Sequence, residues 1–160
     1  LVWDQGVAPN IIGMAFSYSM TIAVLYPAFA LAVLIFSKSN QLKTVGKISI
    51  APAFFGISEP LMFGVPVVMN PFMAIPWIIS PTVNVLLGWL ACSSGLVARY
   101  AGVTVFNFPM GVTGILNGSF TIAILEVVVC IIDVLIFMPF VRIQDKKYID
   151  AEKAAETEQN

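Results

Sequence analysis

One carboxylate, Glu59, stands inside the stretch GISEPLMFGVPVVMNP, residues 56–71, with apolar residues and prolines on both sides. An acid buried at mid-membrane depth costs roughly 2.5–3.5 kcal/mol on insertion scales, and such residues usually face a cavity, an ion path or a substrate. A carboxylate within hydrogen-bond reach of a hydroxyl can orient that hydroxyl and accept its proton. The bland alternative is an acid that only ties two half-helices together. Ser58 and Asn70 are the polar neighbours, and each can serve as a local backbone cap or as a hydrogen-bond partner for substrate. Further along, Phe106, Asn107 and Phe108 lie in a polar, glycine-bearing loop, residues 101–114, where aromatic rings can stack on a sugar or sit in an interfacial belt. Glu126 and Asp133, seven residues apart, fall on similar faces of one helix and are expected to face the bundle interior, with Arg99 a candidate partner for Glu126. Asn84 is expected to cap a helix. Asn117-Gly118-Ser119 matches a glycosylation acceptor by pattern alone.

The chain that must position these residues is 59% hydrophobic and 11% charged, with a mean hydropathy of +0.92. Soluble domains average about 25% charged residues, so the composition points to an integral membrane protein. Between Lys47 and Arg142 the only charged residues are Glu59, Arg99, Glu126 and Asp133. The chain has no histidine, and Cys92 and Cys130 both lie in apolar runs. No metal site, cofactor, disulfide framework or nucleic-acid partner is expected. The opening Leu1-Val2-Trp3 carries no signal peptide pattern and reads as the start of a piece of a longer protein.

Four apolar regions follow one another. The first, about residues 10–36, is long enough to span a bilayer. It leads into SKSNQLKTVGK, residues 37–47, a loop with three lysines and no acid that marks the cytoplasmic side. The second, about residues 48–81, holds six of the ten prolines. Each internal proline removes a helical hydrogen bond and clashes with the preceding turn. Broken backbone is tolerated at membrane depth only when buried in protein or facing a water-filled cavity, so this region reads as a re-entrant hairpin or a pair of half-helices. The third region, about residues 82–97, ends at Arg99-Tyr100, and the fourth covers about residues 115–140. A charged tail, residues 142–160, then runs as a solvated helix or a disordered end. With the lysine loop and the tail both inside, an even number of crossings must separate them, which a hairpin contributing none satisfies.

The segment GISEPLMFGVPVVMNPFMAIPWIISP, residues 56–81, resembles the enzyme IIC permeases of the bacterial sugar phosphotransferase system, in the lactose/cellobiose/diacetylchitobiose branch. The family pattern G-I-x-E-P-x-x-F-G-x-P-x-V-x-N-P-x-x-x-I-P-F is met at Gly56, Ile57, Glu59, Pro60, Phe63, Gly64, Pro66, Val68, Asn70, Pro71, Ile75 and Pro76, with Trp77 in the last aromatic place. FSKSNQLKTVGK and MPFVRIQDKK are similar to the family's cytoplasmic loop and to its exit from the last helix. The family's W-T-x-P-P-x-x-x-G segment corresponds to Phe106-Asn107-Phe108-Pro109-Met110, reaching Gly114, with phenylalanine in place of tryptophan. The family's histidine has no counterpart here and is expected upstream of Leu1.

The resemblance implies an all-α integral membrane protein, the C-terminal substrate-binding half of the IIC fold. Residues 1–141 form its transmembrane part, with the hairpin at about 48–81, and residues 142–160 its cytoplasmic tail. It implies a multi-pass permease of the bacterial cytoplasmic membrane that moves a disaccharide of cellobiose, lactose or diacetylchitobiose type. The sugar is phosphorylated by a cytoplasmic enzyme IIB carrying phosphocysteine, so the phosphoryl donor lies on the partner. Glu59 then holds the sugar's 6-hydroxyl and accepts its proton, while Ser58, Asn70, Phe106 and Asn107 join it in binding substrate. Lipid contact is implied, as is a homodimer formed through the upstream half. The rival readings are an ion-coupled secondary transporter, which also uses broken helices near the midplane, and a structural membrane module in which Glu59 only packs.

Overall fold

The computed structural model describes residues 10–68, 70–104 and 106–158, and among these there are helices and no strands. Helix α1 (Met14–Tyr18) passes through a π-helical turn, Ser19–Ala23, into α2 (Leu25–Phe36). Pro27 causes no break, because it stands in the first turn of α2, where the missing N–H has little to bond to. Together these elements make one apolar run of 23 residues, Met14–Phe36, long enough to cross a membrane. Pro71–Ser93 and Phe120–Thr157 are two more such helices. Two candidate spans thus lie between the lysine segment and the tail, the even number that the charge pattern requires.

Helix α3 (Asn40–Phe54) begins inside the expected lysine loop, leaving only residues 37–39 between α2 and α3. The reason lies in its first turn. Ser39 accepts a hydrogen bond from the Leu42 amide through its Oγ. Two acids of α7 take other free amides there: Asp145 accepts from Lys38 and Ser39, and Glu152 from Asn40 and Gln41. Those donors have no partner within the helix itself.

The chain then turns at residues 55–58, where Gly56 takes a φ of +76°, a conformation that side chains bearing a Cβ disfavour. Helix α4 (Glu59–Gly64) returns along α3, so close that a Cβ on Gly64 would stand 2.6 Å from Val45 Cγ1. The return ends at Asn70, whose Nδ2 donates to Gln144 Oε1 of α7 at 2.8 Å. The segment enters beside Asp145 and leaves beside Gln144, so it comes back to the end it started from. This is the re-entrant hairpin. Its entering arm, 15 residues long, reaches about 22 Å from its foot at 1.5 Å per residue.

The hairpin lies earlier in the chain than proline density predicts. Pro76 and Pro81 do not break a helix; both stand inside α5 (Pro71–Ser93), and Pro71 opens it. Residues 71–81, expected to belong to the broken segment, and the third apolar region through Ser93 are therefore one continuous helix. Proline at the first helical position is well tolerated. The prolines at 76 and 81 free the carbonyls of Phe72 and Trp77, which a helix packed against neighbours survives more readily than one exposed to lipid. A loop carrying the short helix α6 (Val112–Leu116) leads to α7 (Phe120–Glu158), which runs without interruption past residue 142, so of the two forms expected for the tail it takes the helical one.

Two clusters of buried side chains hold the bundle. Phe29, Val33, Leu42, Leu61, Met73 and Phe137 join α2, the hairpin, α5 and α7. Phe16, Met20, Cys92, Tyr100, Ile122 and Val129 close the other end. Phe29, Trp77 and Phe137 meet ring to ring, with centroids between 4.8 and 5.9 Å apart. Gly88 lets α5 approach Phe16 and Met20, since a Cβ there would lie 2.8 Å from Phe16 Cε2.

Candidate functional site

The tip of the hairpin and the loop before α7 meet at Tyr18. The Tyr18 hydroxyl accepts a hydrogen bond from the Asn107 amide at 2.9 Å. A Cβ on Gly56 would lie 3.0 Å from the same oxygen and 3.7 Å from Asn107 Oδ1. The Tyr18 ring packs edge-on against Phe106, centroids 5.0 Å apart. Asn107 takes a φ of +58°, a region that asparagine enters more easily than most residues. The turn that bears Ser58 and Glu59 is thus set beside the loop that bears Phe106 and Asn107, though 48 positions separate Glu59 from Asn107 along the chain.

Glu59 opens α4 ahead of Pro60. Its side chain is exposed rather than walled into a closed cavity, and no described residue gives its carboxylate a hydrogen bond or an ion pair. It faces out of the described fold and can meet a ligand or another part of a larger protein. Ser58 precedes it at the helix cap without a side-chain capping bond. Phe106 and Phe108 are both exposed, as stacking rings must be.

Asn70 stands elsewhere. Its Oδ1 caps α5 by accepting from the Phe72 amide at 3.1 Å, and its Nδ2 reaches Gln144. One bond at each end of the amide makes it the clasp at the hairpin's foot, at the opposite end from Glu59.

The buried acids have structural partners. Glu126 Oε1 accepts from Ser19 Oγ at 2.5 Å, and Oε2 from the Gly111 amide at 2.6 Å. Because Ser19 donates to Glu126, the Tyr100 hydroxyl donates to Ser19 across 2.9 Å. Burial raises the Tyr100 pKa, against the lowering effect of its Ser19 hydrogen bond, and keeps it a donor. This chain of bonds ties the loop to the bundle, and it replaces the expected pairing of Glu126 with Arg99, which lies exposed beyond the end of α5. Asp133 Oδ2 accepts from Asn84 Nδ2 at 2.7 Å. Asn84 is therefore no cap: α5 starts at Pro71, so Asn84 falls in mid-helix, fully buried, where it also donates to the Met20 carbonyl of the π turn. A π turn offsets the backbone ladder, and this carbonyl takes a side-chain donor.

Asn117 is buried and bonds Val103 and Thr113, so the glycosylation pattern falls on a structural side chain. Cys92 and Cys130 are buried free thiols, and no metal-ligand cluster occurs among the described residues. Tyr18, the hub of the site, carries no signature in the sequence beyond a polar tip between Ser17 and Ser19 in an apolar run.

Apolar helices long enough to span a membrane, a re-entrant hairpin with an open carboxylate at its tip, and a polar loop folded onto that tip define a helical membrane protein with a candidate site at a broken helix. The family described as "Phosphotransferase system, EIIC" matches residues 1–81, and the chain belongs to that family. It is 38% identical over 136 residues to the oligo-beta-mannoside-specific EIIC component of Bacillus subtilis (strain 168), covering 84% of this chain and 30% of that protein. It is 40% identical over 133 residues to the cellobiose-specific EIIC component of Geobacillus stearothermophilus, covering 81% and 30%. The lactose-specific EIICB component of Staphylococcus haemolyticus (strain JCSC1435) is 32% identical over 122 residues, 73% of this chain and 20% of that one. The crystal structure of the transporter ChbC, the IIC component from the N,N'-diacetylchitobiose-specific phosphotransferase system, superposes with a TM-score of 0.87 at 35% identity, over 94% of this chain and 37% of that one. The chain thus spans about a third or less of the length of these relatives.

Proposed function

We propose that this chain supplies the glutamate-bearing hairpin of a phosphotransferase-system sugar permease in a bacterial cytoplasmic membrane. The permease moves a disaccharide of the class named for its relatives, the lactose, cellobiose and diacetylchitobiose type. Glu59 holds the sugar's 6-hydroxyl and accepts its proton as phospho-enzyme IIB delivers the phosphoryl group. Phosphoryl transfer depends on holding the nucleophile in line with the donor, and a carboxylate at hydrogen-bond distance does so. Ser58 and Asn107 add hydrogen bonds, and Phe106 offers a ring face to the sugar. Asn70 contributes by holding the hairpin closed. The observation that carries the reading is the open Glu59 carboxylate at a hairpin tip onto which the Phe106–Asn107 loop is folded by Tyr18. A IIB partner is supported by lactose-specific relatives named EIICB. A homodimer would form through the upstream part of the longer protein.

The test uses the full-length parent in vesicles supplied with phosphoenolpyruvate and the soluble phosphotransferase proteins. Glu59→Gln is expected to abolish sugar phosphorylation while the protein still inserts and elutes as the wild type does. Phosphorylation at the wild-type rate by that variant would overturn the role. Accumulation of unmodified sugar driven by a proton gradient alone would point to a secondary transporter instead.

A further inference from the structure

We propose that the pocket between the cytoplasmic ends of α2 and α7 binds the headgroup of an anionic phospholipid. The pocket has a volume of about 620 Å³ and is lined by Ile35, Phe36, Lys38, Arg142, Asp145, Lys146 and Ile149. Arg142, Lys146 and Ile149 follow one another at helical spacing on one face of α7, and Lys38 comes in from the turn after α2. Three cations therefore share one hollow with a single acid.

That acid offsets one of the three charges, and its hydrogen bonds go to the backbone. Asp145 is buried, with Oδ2 accepting from the Lys38 amide at 2.8 Å and Oδ1 from the Ser39 amide at 2.9 Å. Among the described residues no carboxylate forms an ion pair with Lys38, Arg142 or Lys146. The Arg142 guanidinium lies over the Phe36 ring, 5.1 Å from its centroid. A cation–π contact of this kind uses the face of the guanidinium, whose N–H donors match a phosphate in geometry.

The position of the pocket selects the source of that phosphate. Phe36 is the last residue of the first candidate span, so the hollow lies where hydrocarbon gives way to water. Ile35, on its wall, is 60% exposed and continues the apolar face of α2 upward. A phospholipid meets both requirements at once, with its phosphate among the three cations and its acyl chains along Ile35. Basic pockets between helices on the cytoplasmic side suit such headgroups, and each Lys or Arg near an anionic leaflet contributes about 1 kcal/mol. A phosphoprotein partner would use the cations but not the lipid-facing wall.

The experiment takes the full-length parent, exchanges it into detergent free of lipid, and measures binding of phosphatidylglycerol by native mass spectrometry, with phosphatidylcholine and inorganic phosphate as controls. Phosphatidylglycerol is expected to bind in preference to phosphatidylcholine, and millimolar phosphate is expected not to displace it. Arg142→Ala with Lys146→Ala should weaken binding roughly 30-fold, while Arg142→Lys with Lys146→Arg restores most of it. Equal binding of the two lipids, unchanged binding by the double alanine variant, or full displacement by phosphate would each overturn the proposal. So would a double variant that loses affinity for phosphorylated IIB but retains phosphatidylglycerol at the wild-type level.

Discussion

Asn70 and Gln144 close the hairpin at its foot: Asn70 Nδ2 donates to Gln144 Oε1 at 2.8 Å. The next residue of α7, Asp145, holds the other foot by accepting from Ser39. Adjacent residues of one helix thus fix both ends of an excursion of about 30 residues. Gln144→Ala removes one tie and leaves the Asn70 cap intact, whereas Asn70→Ala removes both, for about 1–2 kcal/mol. Hydrogen exchange of the full-length parent should speed up over residues 59–70 in both variants, more in Asn70→Ala, while α3 stays protected. Unchanged exchange over 59–70 would show that the clasp carries no weight.

Asp145 should matter in a different way. Its loss strands the Lys38 and Ser39 amides, so Asp145→Ala is expected to fray the first turn of α3 and cost roughly 1–3 kcal/mol. Exchange should quicken over residues 38–44. Asp145→Asn keeps one acceptor and should fall between the alanine variant and the wild type.

The Asn84–Asp133 bond joins α5 to α7 within the membrane part. Asn84 Oδ1 and Asp133 Oδ1 are buried without a geometric hydrogen-bond partner, as is the Ser80 hydroxyl. Asp133→Asn adds a donor and should leave the thermal midpoint near the wild-type value. Asp133→Leu leaves one Asn84 N–H without its acceptor, the other still bonding Met20, and should lower stability by about 1–3 kcal/mol. Equal midpoints for the leucine and asparagine variants would remove the pair from the account of stability.

Gly114 sets α6 against α7. A Cβ there would stand 2.5 Å from the backbone nitrogen of Ala123, which cannot swing aside as a side chain can. Gly114→Ala should therefore push the two helices apart and cost about 1–3 kcal/mol, read as a lower midpoint in detergent. Gly95→Ala, with open space around its Cβ, separates crowding from backbone strain, since its positive φ of 77° costs strain alone.

Tyr18→Phe keeps the ring contact with Phe106 but removes the acceptor for the Asn107 amide. If the loop positions sugar beside Glu59, the expected result is a KM for sugar raised several-fold with kcat less affected. An unaltered KM would detach the loop from substrate binding.

Much of this was legible in the residues. Long apolar runs with only four charged residues between Lys47 and Arg142 determine a helical membrane protein, because bilayer insertion depends on side-chain polarity wherever the helices later pack. The E-P motif with its dense prolines likewise marks a broken segment bearing one acid, Glu59. Which proline breaks a helix was a matter for the tertiary structure. Pro76 and Pro81 look like Pro60 and Pro66 in one dimension, but α5 packs around the first pair, whereas Gly56 at positive φ and the Asn70 clasp bend the chain around the second. Glu126 finds Ser19 instead of Arg99, and Asn84 finds Asp133 instead of a helix end, because hydrogen-bond partners more than forty residues distant leave no local trace. Tyr18 shows the same limit: only folding sets its hydroxyl beside both Gly56 at the hairpin tip and the Asn107 amide of the loop.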